Sequence, residues 1–198
     1  MMKIVFATQN LGKLKEVSEL WKDLPVEILG LDEWPEIGDI VEDGDTFAEN
    51  SLIKARAVAE HTGLASMADD SGLCIDALNG WPGVKSARIA FTDRERCIKA
   101  LEQMIPHPSL EQRSASFICV ATLWLPQSGK AFSSEGRTSG RIERDIMLGG
   151  GFGYDPIFHS FDLDKRFSEV SAEEKNSVSH RGRAFRQLAD DLRESGLI

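Results

Sequence analysis

Asp69 and Asp70 stand side by side in the run Ala68-Asp69-Asp70-Ser71-Gly72, between the apolar stretches Ala65 to Ala68 and Leu73 to Ala77. Adjacent carboxylates repel each other unless a cation or a proton relieves them. Hard oxygen ligands at a strand end suit Mg²⁺, which is commonly shared with substrate phosphates. Glu42 and Asp43, in a polar loop, offer a further ligand. A plain polar turn at residues 69–72 is the other reading of the same residues.

Cationic and backbone donors that suit a polyphosphate sit elsewhere in the chain. The turn Thr8-Gln9-Asn10-Leu11-Gly12-Lys13 joins an apolar run to a helix. The N–H groups at a helix start, together with Lys13, suit an anion, and Gly12 permits close approach. This turn lacks the full P-loop pattern, and an ordinary turn with a surface lysine is the alternative. On the helix predicted from Thr46 to about Thr62, residues Phe47, Asn50, Ser51, Lys54 and Val58 share one side. Lys54 either reaches a phosphate or snorkels to solvent. Glu49 belongs to the capping box that starts with Thr46.

Two further groups suit a flat ring. Gly149-Gly150-Gly151-Phe152-Gly153 precedes Tyr154-Asp155-Pro156. So many glycines suggest a backbone that approaches something closely; Phe152 offers a stacking face and Asp155 an acceptor for ring N–H donors. A flexible loop is the alternative. His180 and Arg181 open the last helix, where a cation opposes the macrodipole. Arg181 lies four residues before Phe185 on the inward stripe. Both residues make sense if aimed at an electron-rich ligand group. A buried ion pair between Arg181 and an acidic neighbour remains open.

The elements that must position these residues follow from periodicity. Ile4 to Ala7 and Val26 to Leu29 are short strands, separated by a helix carrying Leu14, Val17, Trp21 and Leu24. Residues 30–45 form a loop. Residues 65–68 and 73–77 are two strands flanking the 69–72 turn. Asp93 to Ile105 is a helix, with Ile98, Leu101 and Ile105 inward and Pro106 at its end. Ser114 to Leu125 and Lys130 to Ile142 form an antiparallel hairpin. A second capping box, Ser171 to Glu174, starts a short helix, and the last helix carries Phe185, Leu188, Ala189 and Leu192 on one face. A βαβ start followed by a long hairpin predicts an α/β fold with a central mixed sheet.

The bulk composition narrows the class. A chain of 198 residues suits a single domain over 1–198, with 41% apolar and 28% charged residues. A net charge of −9 argues against a nucleic-acid polymer as partner. Cys74, Cys97 and Cys119 are scattered, which fits a reducing cytoplasm better than a disulfide framework. No apolar run reaches the roughly 20 residues of a membrane span, and the N-terminus lacks a signal h-region.

Taken in order, these motifs resemble the inosine triphosphate pyrophosphatase family. The likeness runs through Ala7-Thr8-x-Asn10-x-x-Lys13-x-x-Glu16, Thr46-Phe47-x-Glu49-Asn50-x-x-x-Lys54-Ala55 and Ala68-Asp69-Asp70-Ser71-Gly72-Leu73. It continues in Gly80-x-Pro82-Gly83-x-x-Ser86-Ala87-Arg88, Gly150 to Pro156, Glu174-Lys175 and Ser179-His180-Arg181-Gly182. The resemblance implies a two-lobed α/β fold with helices flanking the sheet, a cleft between the lobes, and a homodimer. It implies hydrolysis of ITP, dITP and XTP to the monophosphate and pyrophosphate. Thr8, Gln9, Asn10, Leu11, Gly12, Lys13 and Lys54 would hold the triphosphate, and Ser71 would contact the substrate. Glu42 and Asp70 would carry Mg²⁺, with Asp70 as base. Phe152, Gly153, Tyr154, Asp155, Lys175, His180 and Arg181 would frame the purine. The chain departs from many relatives at Ile89-Ala90-Phe91-Thr92-Asp93, which is shorter and more apolar. A non-hydrolysing nucleotide sensor, a pyrophosphatase for modified pyrimidines and a single-strand nucleic-acid binder are the competing classes; a nucleotide panel separates the first two from the reading above.

Overall fold

The computed structural model describes residues 1–198. Strand β1 (Met2–Phe6) lies between β2 (Val26–Leu29) and β3 (Ala65–Ile75) and runs parallel to both, with Ile4 opposite Ile28 and Ala65. Its Ile4, Val5 and Phe6 are wholly buried. A parallel strand covered on both faces needs such an uninterrupted apolar run. Helix α1 (Leu11–Leu20) makes the crossover from β1 to β2.

Strand β3 is one continuous strand through Asp69, Asp70, Ser71 and Gly72. The predicted pair of short strands with a turn between them is therefore corrected. Polar residues interrupt the hydrophobic pattern there, yet the backbone keeps its ladder because the carboxylates find partners, described below.

The sheet has seven strands in the order β2-β1-β3-β4-β5-β6-β7. β4 (Ser114–Leu125) and β5 (Lys130–Ile142) form the predicted hairpin. A connection so short can only join antiparallel neighbours. β6 (Phe158–Ser160) and β7 (Lys165–Arg166) add antiparallel strands at the edge. The sequence did not reveal them, since three and two residues are too few to show a period. The fold is thus mixed α/β, as expected.

Helix α2 (Phe47–Thr62) starts at the Thr46–Glu49 capping box and stops at Gly63, whose φ is 71°. Helices α4 (Ala172–Val178) and α5 (His180–Glu194) close the chain. Helix α3 (Asp93–Gln103) differs from expectation in its inward face. Cys97, Ala100 and Met104 are buried, whereas Ile98 is 37% and Ile105 75% exposed. The buried stripe sits one residue earlier than the largest side chains suggested: two small residues let the helix pack closely, and the helix ends before Ile105 can turn inward.

The chain divides into two compact units. The first comprises Met1–Asp70, Cys119–Gly136 and Arg181–Ile198; the second comprises Ser71–Ile118 and Arg137–His180. Within the first, Phe185 meets the rings of Phe6 and Trp21 edge-on at 5.6 and 5.9 Å, and Trp21 donates Nε1–H to the Phe185 carbonyl at 3.0 Å. Within the second, Phe158 lies 4.6 Å from Phe117 and 5.2 Å from Phe167, beside Leu73, Ile75 and Ile157. Burying each such aromatic contributes about 1.5–3 kcal/mol. No helix is long and apolar enough to cross a membrane, and no disulfide joins the cysteines.

Candidate active site

Successive residues of a strand point to opposite faces, so β3 sends the Asp69 and Asp70 side chains to opposite sides. The mutual repulsion expected of a turn is thereby relieved by geometry, and the two carboxylates acquire different surroundings.

Asp69 is 2% exposed. Its Oδ1 lies 3.1 Å from Lys13 Nζ, and its Oδ2 accepts from Arg181 Nε at 3.2 Å. Burial alone would raise its pKa, but Lys13, Arg181 and then Lys54 hold the carboxyl well below the usual carboxylate range. Arg181 also donates through Nη1 to Glu16 at 2.6 Å. Burial opposes its charge, and Asp69 and Glu16 more than restore it. Here Arg181 realises the ion-paired alternative that the sequence left open. Two of its nitrogens, Nε and Nη1, serve carboxylates.

Asp70 is 8% exposed. Its Oδ2 accepts from Asn50 Nδ2 at 3.0 Å, and Lys54 Nζ lies 3.9 Å from Oδ1. Burial raises its pKa, with Glu42 adding to the rise, against the lowering by Lys54 and the Asn50 hydrogen bond. Lys54 bonds Glu42 at 3.0 Å. It is 12% exposed along its side chain, so it does not snorkel; it bridges the carboxylates of Glu42 and Asp70. Helix α2 supplies both Asn50 and Lys54, one turn apart on the predicted stripe. Its start is secured by Thr46 Oγ1 accepting from Glu49 N at 3.1 Å and Glu49 Oε2 accepting from Thr46 N at 2.9 Å. Glu49 belongs to the cap, as expected.

At the start of α1, Asn10 Oδ1 accepts from Gly12 N at 2.9 Å and Lys13 N at 3.2 Å, while Thr8 Oγ1 accepts from Asn10 N at 3.2 Å. The cap thus satisfies two helix-start donors that the sequence assigned to an anion. A Cβ on Gly12 would sit 3.0 Å from Asn10 Oδ1, so the glycine serves the cap. Gln9 and Leu11 are exposed beside it. Ser71, next along β3, is half-buried.

In the second unit, Asp155 is 2% exposed, and its Oδ2 accepts from Phe152 N at 2.8 Å and from Lys175 Nζ at 2.6 Å. Lys175 Nζ also lies 4.3 Å over the Phe152 ring, a cation–π contact. Gly151 has φ 84°, and a Cβ there would collide with Asp155 Oδ2. The glycine cluster thus lets the loop wrap its own carboxylate. Tyr154 is buried and donates to the Ser86 carbonyl at 2.8 Å. The imidazole of His180 stacks on Phe117 at 4.7 Å and 12°. Phe117 carried no signal of its own within β4, Glu16 appeared only inside a motif, and Asn50 was placed on the helix stripe without a role.

The donor chemistry fits a hard cation. No three His, Cys, Asp or Glu side chains gather to hold a metal by themselves. Mg²⁺ keeps waters and phosphate ligands and asks the protein for one or two carboxylates. Glu42 and Asp70, both turned toward Lys54, offer that number, whereas Asp69 is committed to Lys13 and Arg181.

The mixed sheet and the residues it positions define an α/β protein whose buried carboxylates are matched by lysine and arginine side chains. A Ham1 family model matches residues 4–191, and the chain belongs to the Ham1 family. It is 44% identical over 198 residues to a dITP/XTP pyrophosphatase of Streptomyces coelicolor, covering 98% of each chain. A solved HAM1 protein structure from Coxiella burnetii is similar with a TM-score of 0.89 and 43% identity, over 98% of this chain and 100% of that one. The Ham1 protein of Staphylococcus aureus gives 0.86 and 35%, over 98% and 99%.

Proposed function

We propose that this protein hydrolyses ITP, dITP and XTP to the nucleoside monophosphate and pyrophosphate. One observation carries the reading within the chain: the two neighbouring carboxylates are held in opposite states. Asp69 is matched by Lys13 and Arg181, while Asp70 is buried with its pKa raised. A carboxylate whose pKa rises toward the working pH is the better proton acceptor. Family membership and the names of close relatives support the substrate class.

On this reading Asp70 takes a proton from water as the water oxygen attacks the α-phosphorus, and the bond to the bridging oxygen breaks to release pyrophosphate. Lys13 and Lys54 face the polyphosphate, with Thr8 to Gly12 and Ser71 beside them. Mg²⁺, held through Glu42 and Asp70, supplies charge neutralisation when bound. Phe152, Asp155 and Lys175 frame the purine, and His180 donates to its 6-oxo group. Adenine presents an amino donor there instead, and an unpaired buried donor costs about 1–3 kcal/mol. Arg181 acts through Asp69. The chain works as a homodimer, which light scattering after gel filtration checks.

Pyrophosphate release with Mg²⁺ over a panel of ITP, dITP, XTP, GTP and ATP tests the proposal. ITP, dITP and XTP should turn over far faster than ATP, and Asp70→Asn should fold yet lose activity by orders of magnitude. Equal rates for ATP and ITP, or a fully active Asp70→Asn, would refute it.

A further inference from the structure

The start of α3 grips one residue of the glycine loop at both of its backbone polar groups. Asp93 Oδ2 accepts from Gly153 N at 2.7 Å, and Cys97, one turn along, donates its Sγ–H to the Gly153 carbonyl at 3.3 Å. Residues four apart share a helix face, so both polar groups of Gly153 are met by one surface. Burial, then the charges of Asp93 and Asp155, push the Cys97 thiol up to about 12, which keeps the proton needed for donation. The other oxygen of Asp93 accepts from Arg96 Nη1 at 2.7 Å. Arg96 in turn donates to the carbonyls of Ala90 at 3.1 Å and Phe91 at 3.3 Å. These bonds fasten the segment before α3, at Ala90 and Phe91, to the same helix turn.

An acidic residue at a helix start needs no partner, because the helix dipole already favours it. An Asp–Arg pair three residues apart is equally ordinary on a surface. Neither accounts for a 2.7 Å bond to a residue 60 positions away in the chain. Gly153 has φ 65° and lies outside any strand or helix, so no ladder holds its peptide. Asp155 fixes the N–H of Phe152, and Asp93 fixes the next N–H along. Two consecutive peptides are thus pinned by two carboxylates from different elements. The Gly153 N–H is spent on this clamp and is not offered to a ligand.

We infer that Asp93, with Cys97, is a positioning residue that fixes the orientation of loop 149–155 and hence of Phe152 and Asp155 against the purine. The inference rests on the proposed role of that loop in framing the base. Helix α3 then contributes to specificity although no residue of it belongs to the motifs of the family resemblance.

The test pairs two readouts on Asp93→Ala, Asp93→Asn and Cys97→Ser. Hydrogen exchange over 149–155 reports the clamp whatever the substrate. Steady-state kinetics with dITP and ATP report its consequence. Asp93→Ala should speed exchange in that loop about tenfold or more and raise the KM for dITP about tenfold, the size of one lost charged hydrogen bond. Its kcat should stay within about twofold and its ATP reaction should be unchanged. Asp93→Asn and Cys97→Ser, which retain an acceptor and a donor, should recover most of the wild-type behaviour. Unchanged exchange in Asp93→Ala would overturn the clamp; faster exchange with equal losses for dITP and ATP would overturn its link to base selectivity. A wild-type protein inert toward every purine triphosphate would sink the proposed function instead, and exchange alone would then decide whether the clamp exists.

Discussion

Replacing Asp69 by Asn keeps the side-chain shape and removes one charge from a buried cluster. Arg181, 2% exposed, would keep Glu16 and lose its other carboxylate partner, and Lys13 would lose its own. Breaking a buried ion pair from one side costs about 3–5 kcal/mol. The surviving Glu16 contact places the expected loss near the lower end, about 3 kcal/mol at pH 7. At about 2–4 °C per kcal/mol for a chain of this length, Tm should fall by about 6–12 °C. The sign of the pH dependence is fixed by the depressed folded pKa. Asp69 contributes its stability fully above its unfolded value of 3.8 and loses it as the pH falls toward the folded value. At pH 3 the unfolded chain already binds the proton, so wild type forfeits about 1 kcal/mol of this advantage while the Asp69→Asn variant has none to lose. Urea melts of both proteins from pH 7 to pH 3 should therefore show a gap that narrows by about 1 kcal/mol. A gap under about 1 kcal/mol at pH 7, or one constant with pH, would refute the assignment of Asp69 as the charge partner of Arg181.

Gly151→Ala should lower Tm and raise the KM for dITP more than Gly153→Ala does. Both glycines have positive φ, but only at 151 would the new Cβ strike the Asp155 carboxylate, whereas nothing lies within 4 Å at 153; the left-handed backbone alone costs about 1–2 kcal/mol. Thermal melts and steady-state kinetics on the pair check this. Thr46→Ala removes the acceptor for Glu49 N. It should cost about 1 kcal/mol and about 2–4 °C in Tm with kcat nearly unchanged, read by calorimetry and pyrophosphate release.

How much of this was legible in the sequence depended on whether the cause was local. Thr46 and Glu49 lie three apart and cap α2 through local bonds, so spacing alone placed the helix that carries Asn50 and Lys54. The apolar run Ile4 to Ala7 likewise announced β1. The edge strands β6 and β7 were invisible because pairing with β5, not their own pattern, makes them strands. Asp69 to Gly72 misled for the converse reason. Four polar or small residues suggest a turn, but Lys13, Arg181 and Asn50 compensate the buried carboxylates and allow the strand to continue. None of these three is near Asp69 and Asp70 in the chain, so no local signal foretold them. Arg181 shows the same limit, since its charge at a helix start could be explained by a ligand or by a carboxylate, and Glu16 and Asp69, which pair with it, lie far away in the chain.

Splitting Asp69 from Asp70 also decides what the proposed chemistry requires. Around β3, four carboxylates, those of Glu16, Glu42, Asp69 and Asp70, face the three cations Lys13, Lys54 and Arg181. The cluster is therefore negative before a polyanionic triphosphate arrives, and like charges in a poorly solvated site repel strongly. Two remedies exist, a proton or a cation. The raised pKa of Asp70 makes it the carboxylate that would take the proton. Protonation there would restore charge balance and at the same time abolish the base. A divalent ion shared with the phosphates would relieve the repulsion while leaving Asp70 ionised, and would reverse the sign that the incoming nucleotide meets. On the proposed reading, that imbalance is what a divalent ion would relieve, and the ion would enter together with the phosphates of the substrate.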